Sequence, residues 1–139
     1  MNMSPTFPPE FEHFFDHTRA QRLSFPHCRT CRRFHWYPMK RCPHCRSDDL
    51  DWQQVRGPAT LFSWTVVRHA FDPKFSDRLP YVVGLVEFAD APGVRLVTNI
   101  VEAPEGRIAI GMLLEPVFEA TNAERPLVRF RPAGSKSMN

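Results

Sequence analysis

All four cysteines of the chain fall in one stretch, CRTCRRFHWYPMKRCPHC (residues 28–45), as two C-x-x-C pairs. Nothing else in the sequence limits the fold so strongly. Each pair forms a tight turn that brings two sulfurs to one side. Two such turns can close a tetrahedron around one ion, with metal–sulfur bonds of about 2.3 Å. This requires reduced thiols. The opening segment MNMSPTFPPEFEHFF has neither the basic nor the apolar region of a secretory signal, so a cytoplasmic, reducing compartment is expected. Cys28, Cys31, Cys42 and Cys45 are therefore assigned to one structural zinc; iron fits the same four-sulfur shell. Four thiolates leave no open coordination position, which argues against a catalytic ion. The surrounding Arg and Lys side chains would favour the thiolate form. Such turns favour glycine after the second cysteine, where backbone φ is positive, yet Arg32 and Arg46 hold these places.

The rest of the chain reads as a short helix before the knot and strands after it. PPEFEHFFDHTRAQRL (8–23) has prolines and acids suited to a helix start and arginines near its end. Phe11, Phe14, Phe15 and Thr18 recur at helical spacing and give one aromatic face. That face can pack on the chain's own body; but three phenylalanines are a large apolar area for a small chain to cover, so Phe11, Phe14 and Phe15 are also candidates for docking on another protein, or on a second copy of this chain when it stands alone. LDWQQV (50–55) reads as the closing strand of a metal ribbon. After Gly57-Pro58 come five β-branched or aromatic runs, at 59–69, 80–89, 94–101, 113–120 and 126–132, divided by turn-rich segments. Five strands with a longer connection after the third fit a small, partly open barrel of the OB type. The expected fold is thus mainly β with a short N-terminal helix: a helical segment (1–24), a rubredoxin-like zinc ribbon (25–57), an OB-fold barrel (58–132) and a flexible tail (133–139). Ribbon and barrel are expected to have separate small cores, so that Cys42→Ser would unfold the ribbon and spare the barrel.

Composition narrows the function. The longest apolar run, Tyr81–Val86, is six residues, far short of the roughly 18 that a membrane-spanning helix needs. Residues 1–57 carry nine Lys+Arg and six Asp+Glu, whereas residues 58–139 carry nine of each. The excess positive charge lies with Arg29, Arg32, Arg33, Lys40, Arg41 and Arg46, interleaved with Phe34, Trp36 and Tyr37. Cations among aromatic rings suit single-stranded nucleic acid and equally suit one nucleotide-like ligand with several phosphates, such as coenzyme A. A barrel with no net charge disfavours the first. Arg32, Arg33, Trp36 and Lys40 are the candidate ligand residues. No catalytic group stands out: His69, Asp72 and Asp77 share one loop, Ser63 lacks a nucleophile-elbow setting, and Glu87, Glu115 and Glu119 sit on strand runs.

The order of these motifs resembles that of the zinc-ribbon/OB-fold acyl-CoA-associated proteins, long filed as a domain of unknown function and often encoded beside thiolases. The resemblance runs from about Phe11 to Pro132. It rests on CRTC (28–31), Pro38 before CPHC (42–45), GPATLFSWTVV (57–67), PYVVGLVE (80–87), IGM (110–112) and VRFRP (128–132). The two knuckle arginines depart from its pattern. It implies a non-catalytic accessory subunit that binds acyl-CoA or helps form a CoA or acyl passage. Its partners would be a thiolase-like enzyme, a MaoC-like enoyl-CoA hydratase or a sterol-side-chain aldol lyase. It supplies no catalytic residues. The alternative is a nucleic-acid-binding ribbon and barrel.

Overall fold

The structure is a computed structural model in which residues 8–69, 80–119 and 127–133 are described. A 3-10 turn, Pro9–Phe11, leads into helix α1 (Glu12–Arg19). Proline suits such a start because its missing N–H is one of the donors left unpaired there. The helix is shorter than the 8–23 periodicity predicted. It ends where Gln21 turns to φ 60° and the Arg22 amide folds back onto the His17 carbonyl at 2.8 Å.

Leu23–Cys28 then forms strand β1, a segment the sequence placed partly in the helical unit, paired antiparallel with β2 (Leu50–Val55). The internal Pro26, opposite Trp52, masks this strand in the sequence. In a two-stranded ribbon both strands are edges, so a residue without an N–H is tolerated.

Strands β3 (Ala59–Val67), β4 (Tyr81–Phe88), β5 (Arg95–Ile100), β6 (Leu113–Glu119) and β7 (Leu127–Pro132) close a barrel in the order β3-β4-β5-β7-β6. β5 meets β7 in parallel through Ile100 and Phe130, and β6 closes on β3 through Ala59–Leu114 and Thr60–Leu113. This is the five-stranded Greek-key arrangement of an OB fold. The expected fold class is the observed one. The longer connection after β5 contains a single 3-10 turn, Glu105–Arg107. Gly84 is required by packing: a Cβ there would lie 2.8 Å from the Ile100 side chain. Asp72, Asp77, the side chain of Glu119 and residues 134–139 of the expected tail lie outside the described residues. No helix among the described residues is long and apolar enough to cross a membrane.

Two expectations are corrected by the packing. Ribbon and barrel do not have separate cores. Phe14, Leu23, Phe25 and Val55 join Leu61, Val86, Phe88, Ile100 and Phe130 in one buried cluster. Aromatic rings run through it from end to end: Phe14 lies 6.3 Å from Phe25, Phe25 lies 5.0 Å from Phe88, and Phe88 lies 6.0 Å from Phe130. Phe14, a docking candidate from sequence, is 7% exposed and serves this core, because the helix lies over β1 and Trp36 packs 4.9 Å from its ring. Phe11 and Phe15 stay half-buried at the margin. At the junction the Asp90 carboxylate accepts the amides of Arg56 (3.1 Å) and Gly57 (2.9 Å). Those amides, Gly57 first, hold its pKa below the ordinary carboxylate value.

Candidate metal centre and the adjoining cleft

The two C-x-x-C turns are built alike. The Arg32 amide donates to the Cys28 carbonyl and the Arg46 amide to the Cys42 carbonyl, both at 2.8 Å. The Cys28 amide reaches the Arg33 carbonyl (2.9 Å) and the Cys42 amide that of Ser47 (2.8 Å). Each turn requires a left-handed residue after its second cysteine, and Arg32 (φ 61°) and Arg46 (φ 68°) adopt it. The positive φ expected from the cysteine pattern is therefore observed. For a residue with a Cβ it costs on the order of 1 kcal/mol.

The four ligand atoms lie within 4.8 Å of one another, with Cys28 Sγ 3.6 Å from Cys45 Sγ and Cys31 Sγ 3.6 Å from Cys42 Sγ. A tetrahedron with bonds of about 2.3 Å has edges of about 3.8 Å, so these residues fit one four-coordinate ion. Backbone amides point at the sulfurs from Cys31 to Cys28 (3.5 Å) and from His44 to Cys42 (3.3 Å). The Cys31 amide is the main reason the Cys28 thiol is lowered to about 6. Cys42 is also lowered: burial would raise it, but the amides of Cys45 and His44 and the Cys31 thiol outweigh burial. Burial and the bond to Cys42 push Cys31 up to about 12. Cys45 is raised despite the Ser47 amide, by burial and by its bond to Cys28. Backbone amides, together with the neighbouring thiols, thus lower Cys28 and Cys42.

Beside the knot, where the ribbon meets the β4–β5 turn, lies a cleft of about 450 Å³ lined by Arg32, Arg33, Phe34, His35, Trp36 and Gly93 among others. Three of the four sequence-assigned ligand residues, Arg32, Arg33 and Trp36, meet here. Lys40 does not: it is exposed, its Nζ 4.0 Å from a Glu10 carboxylate oxygen. The residue missed from sequence is His35, which is 4% exposed. Burial, then the nearby His44 and His27, lowers its pKa, which favours the neutral ring. Its only sequence signal was a place between two aromatic residues. On the ribbon's outer side, Tyr37 (59% exposed) and Met39 (50%) form an apolar margin, with Phe11 6.0 Å from Tyr37 and 6.2 Å from Phe15. Two of the carboxylates singled out on strand runs are paired with arginines: Glu87 with Arg95 at 3.0 Å and Glu115 with Arg131 at 2.7 Å. Ser63 is exposed on β3.

Two family models match the chain in succession. They are the ChsH2 rubredoxin-like zinc ribbon domain over residues 15–51 and the ChsH2 C-terminal OB-fold domain over residues 52–119. A solved structure described as "Ltp2-ChsH2(DUF35) aldolase" is 33% identical, superposes with a TM-score of 0.81, and is matched over 94% of this chain and 99% of its own. The chain belongs to the ChsH2 (DUF35) family.

Curated relatives of this ChsH2-family chain are matched over only part of their own length. A "Probable enoyl-CoA hydratase alpha subunit" of Thermomonospora curvata is 36% identical over 86% of this chain, which spans 36% of that relative's length. A "DUF35 domain-containing scaffold protein" of Methanothermobacter thermautotrophicus is 33% identical over 60% of this chain and 61% of its own. A DUF35 structure from Sulfolobus solfataricus, 18% identical with a TM-score of 0.65 over 91% of this chain and 85% of that one, shares the fold. In the ChsH2-family chain the two models abut inside β2. The strand itself runs on to Val55, and the Asp90 contacts mark the passage to the barrel.

Proposed function

We propose that this chain is a non-catalytic accessory subunit of an acyl-CoA enzyme, a thiolase-like protein, a MaoC-like hydratase or an aldolase. The observation that carries this reading is the near full-length match to a chain of the structure described as "Ltp2-ChsH2(DUF35) aldolase". The names of the hydratase subunit and the scaffold protein support it. In this reading one zinc on Cys28, Cys31, Cys42 and Cys45 holds the ribbon and takes no part in chemistry, in keeping with a shell closed by thiolates. The partner covers the apolar margin of Phe11, Phe15, Tyr37 and Met39. The Arg-lined cleft faces the coenzyme as acyl-CoA passes to the partner's active site.

The test is purification of the tagged chain from its native host at physiological salt. Co-elution of a thiolase-like, hydratase or aldolase subunit, lost on Phe11→Ser/Phe15→Ser/Tyr37→Ser with the melting curve kept, is the expected result. Turnover of an acyl-CoA by the isolated chain would overturn the accessory role. Oligonucleotide binding that survives about 0.2 M salt would favour a nucleic-acid module.

A further inference from the structure

The outer face of the barrel departs from what an antiparallel sheet shows to water. Such a face is ordinarily polar, with the apolar residues alternating inward. Here Phe62, Val97, Ile110 and Leu113, between 41% and 63% exposed, gather on one side. A bulge in β3 brings them together. The pairing of β3 with β4 shifts between Leu61 and Ser63, so Phe62 and Ser63 both face outward while Leu61 and Trp64 turn to the core. Leu113 stands opposite Thr60, and the Gly111 amide donates to the Leu61 carbonyl at 2.7 Å, which brings Ile110 beside the same strand. Across β4, Ser63 pairs with Leu85 and Leu85 with Val97. The Arg95 guanidinium lies 4.0 Å over the Phe62 ring and bonds Glu87 at 3.0 Å. Single exposed apolar side chains are ordinary, but a contiguous patch on the order of 300–400 Å² is of the size that is often functional.

Charge and area narrow the occupant. At its centre the patch carries one cation and one anion, Arg95 and Glu87, already paired. It has no excess charge with which to draw nucleic acid or an anionic lipid surface. A patch that holds both signs is instead complementary to itself: turned about a two-fold axis, Arg95 of one copy can meet Glu87 of the other, and each contact is made twice. The apolar residues with their rim of Thr60, Ser63 and Thr65 come to about the 800 Å² per partner of a standard interface. Interfaces between identical chains are also the more apolar ones. We propose that this face of the barrel joins two copies of the chain in a symmetric dimer, through β3, β5 and the connection between β5 and β6. The apolar margin with Tyr37 and Met39 lies on the ribbon, so the dimer and an enzyme partner use different surfaces. The dimer does not depend on the accessory role.

Sedimentation velocity on the metal-loaded full chain at physiological salt, from about 1 to 100 µM, tests it. A dimer should form across this range, with a melting temperature that rises with concentration. Because the two-fold places each substitution in the contact twice, Val97→Lys and Leu113→Lys should each weaken the dimer by about 100-fold. Both side chains face water in the single chain, so each variant should still melt cooperatively at the lowest concentration. Tyr37→Ser/Met39→Ser, on the ribbon, should leave the dimer intact. A monomer throughout, a dimer insensitive to both lysines, or one lost only in the ribbon variant would overturn the proposal. So would a chain that is monomeric alone and loses a co-purified enzyme subunit on Val97→Lys, which would give the face to that enzyme. A monomer that keeps its enzyme partner refutes the dimer alone. A dimer that recruits no acyl-CoA enzyme refutes the accessory role alone.

Discussion

Phe25 is the side chain through which the ribbon and the barrel share a core, and Phe25→Ala tests whether they unfold together. Its ring has no exposed surface and stands 5.0 Å from Phe88, 5.2 Å from Trp36 and 6.3 Å from Phe14. A phenylalanine buries about 200 Å², or about 5 kcal/mol at 25 cal/mol per Å². Alanine keeps part of that, and truncation of a buried phenylalanine costs about 3–5 kcal/mol, so about 4 is expected. With a urea slope of about 2 kcal/mol per M, the midpoint should fall by about 2 M. The assay is urea unfolding in a Trp64→Phe background. Fluorescence then reports Trp36 and Trp52 of the ribbon, and far-UV circular dichroism reports the barrel strands. Both signals should move together, because Phe25 connects Phe14 and Trp36 to Phe88. A fall in the ribbon midpoint alone, with the barrel unmoved, would refute the single core.

Three further outcomes are expected. In the metal-free knot at neutral pH, Cys28 and Cys42 are lowered toward thiolates while Cys31 and Cys45 are raised. Zinc uptake should therefore release protons, and apparent affinity should fall on acidification; competition with a chelator across pH 6–8 measures it, and a flat profile would contradict the assignment. Gly84→Ala should cost about 1–3 kcal/mol by overpacking Ile100, seen as a melting temperature about 3–10 °C lower. The depressed pKa of Asp90 contributes stability that is complete above the ordinary carboxylate value and drains away as pH falls through the lowered one. Asp90→Asn should flatten the acid limb of stability against pH, measured by urea midpoints, and an unchanged limb would show that the junction amides do not depend on the carboxylate.

What was legible in the sequence was local. The metal knot depends on spacings of three residues within each C-x-x-C turn, and so does the positive φ of Arg32 and Arg46. The barrel strands were legible because runs of β-branched and aromatic residues between turn residues carry their own signal, and their observed bounds fall within or beside the expected runs. The direction of the aromatic helix was not legible. Helical spacing put Phe11, Phe14 and Phe15 on one face, but only the position of β1 beneath it made Phe14 core and left the other two at the margin. β1 itself was hidden by Pro26, whose cost depends on whether the strand is an edge. The cleft was half visible: Arg32, Arg33 and Trp36 converge there, Lys40 turns away toward Glu10, and His35 comes into view only through its burial. These features depend on which distant segments lie against one another. Residue spacing encodes contacts within a turn or a strand, whereas burial and convergence are set by the docking of segments far apart in the chain.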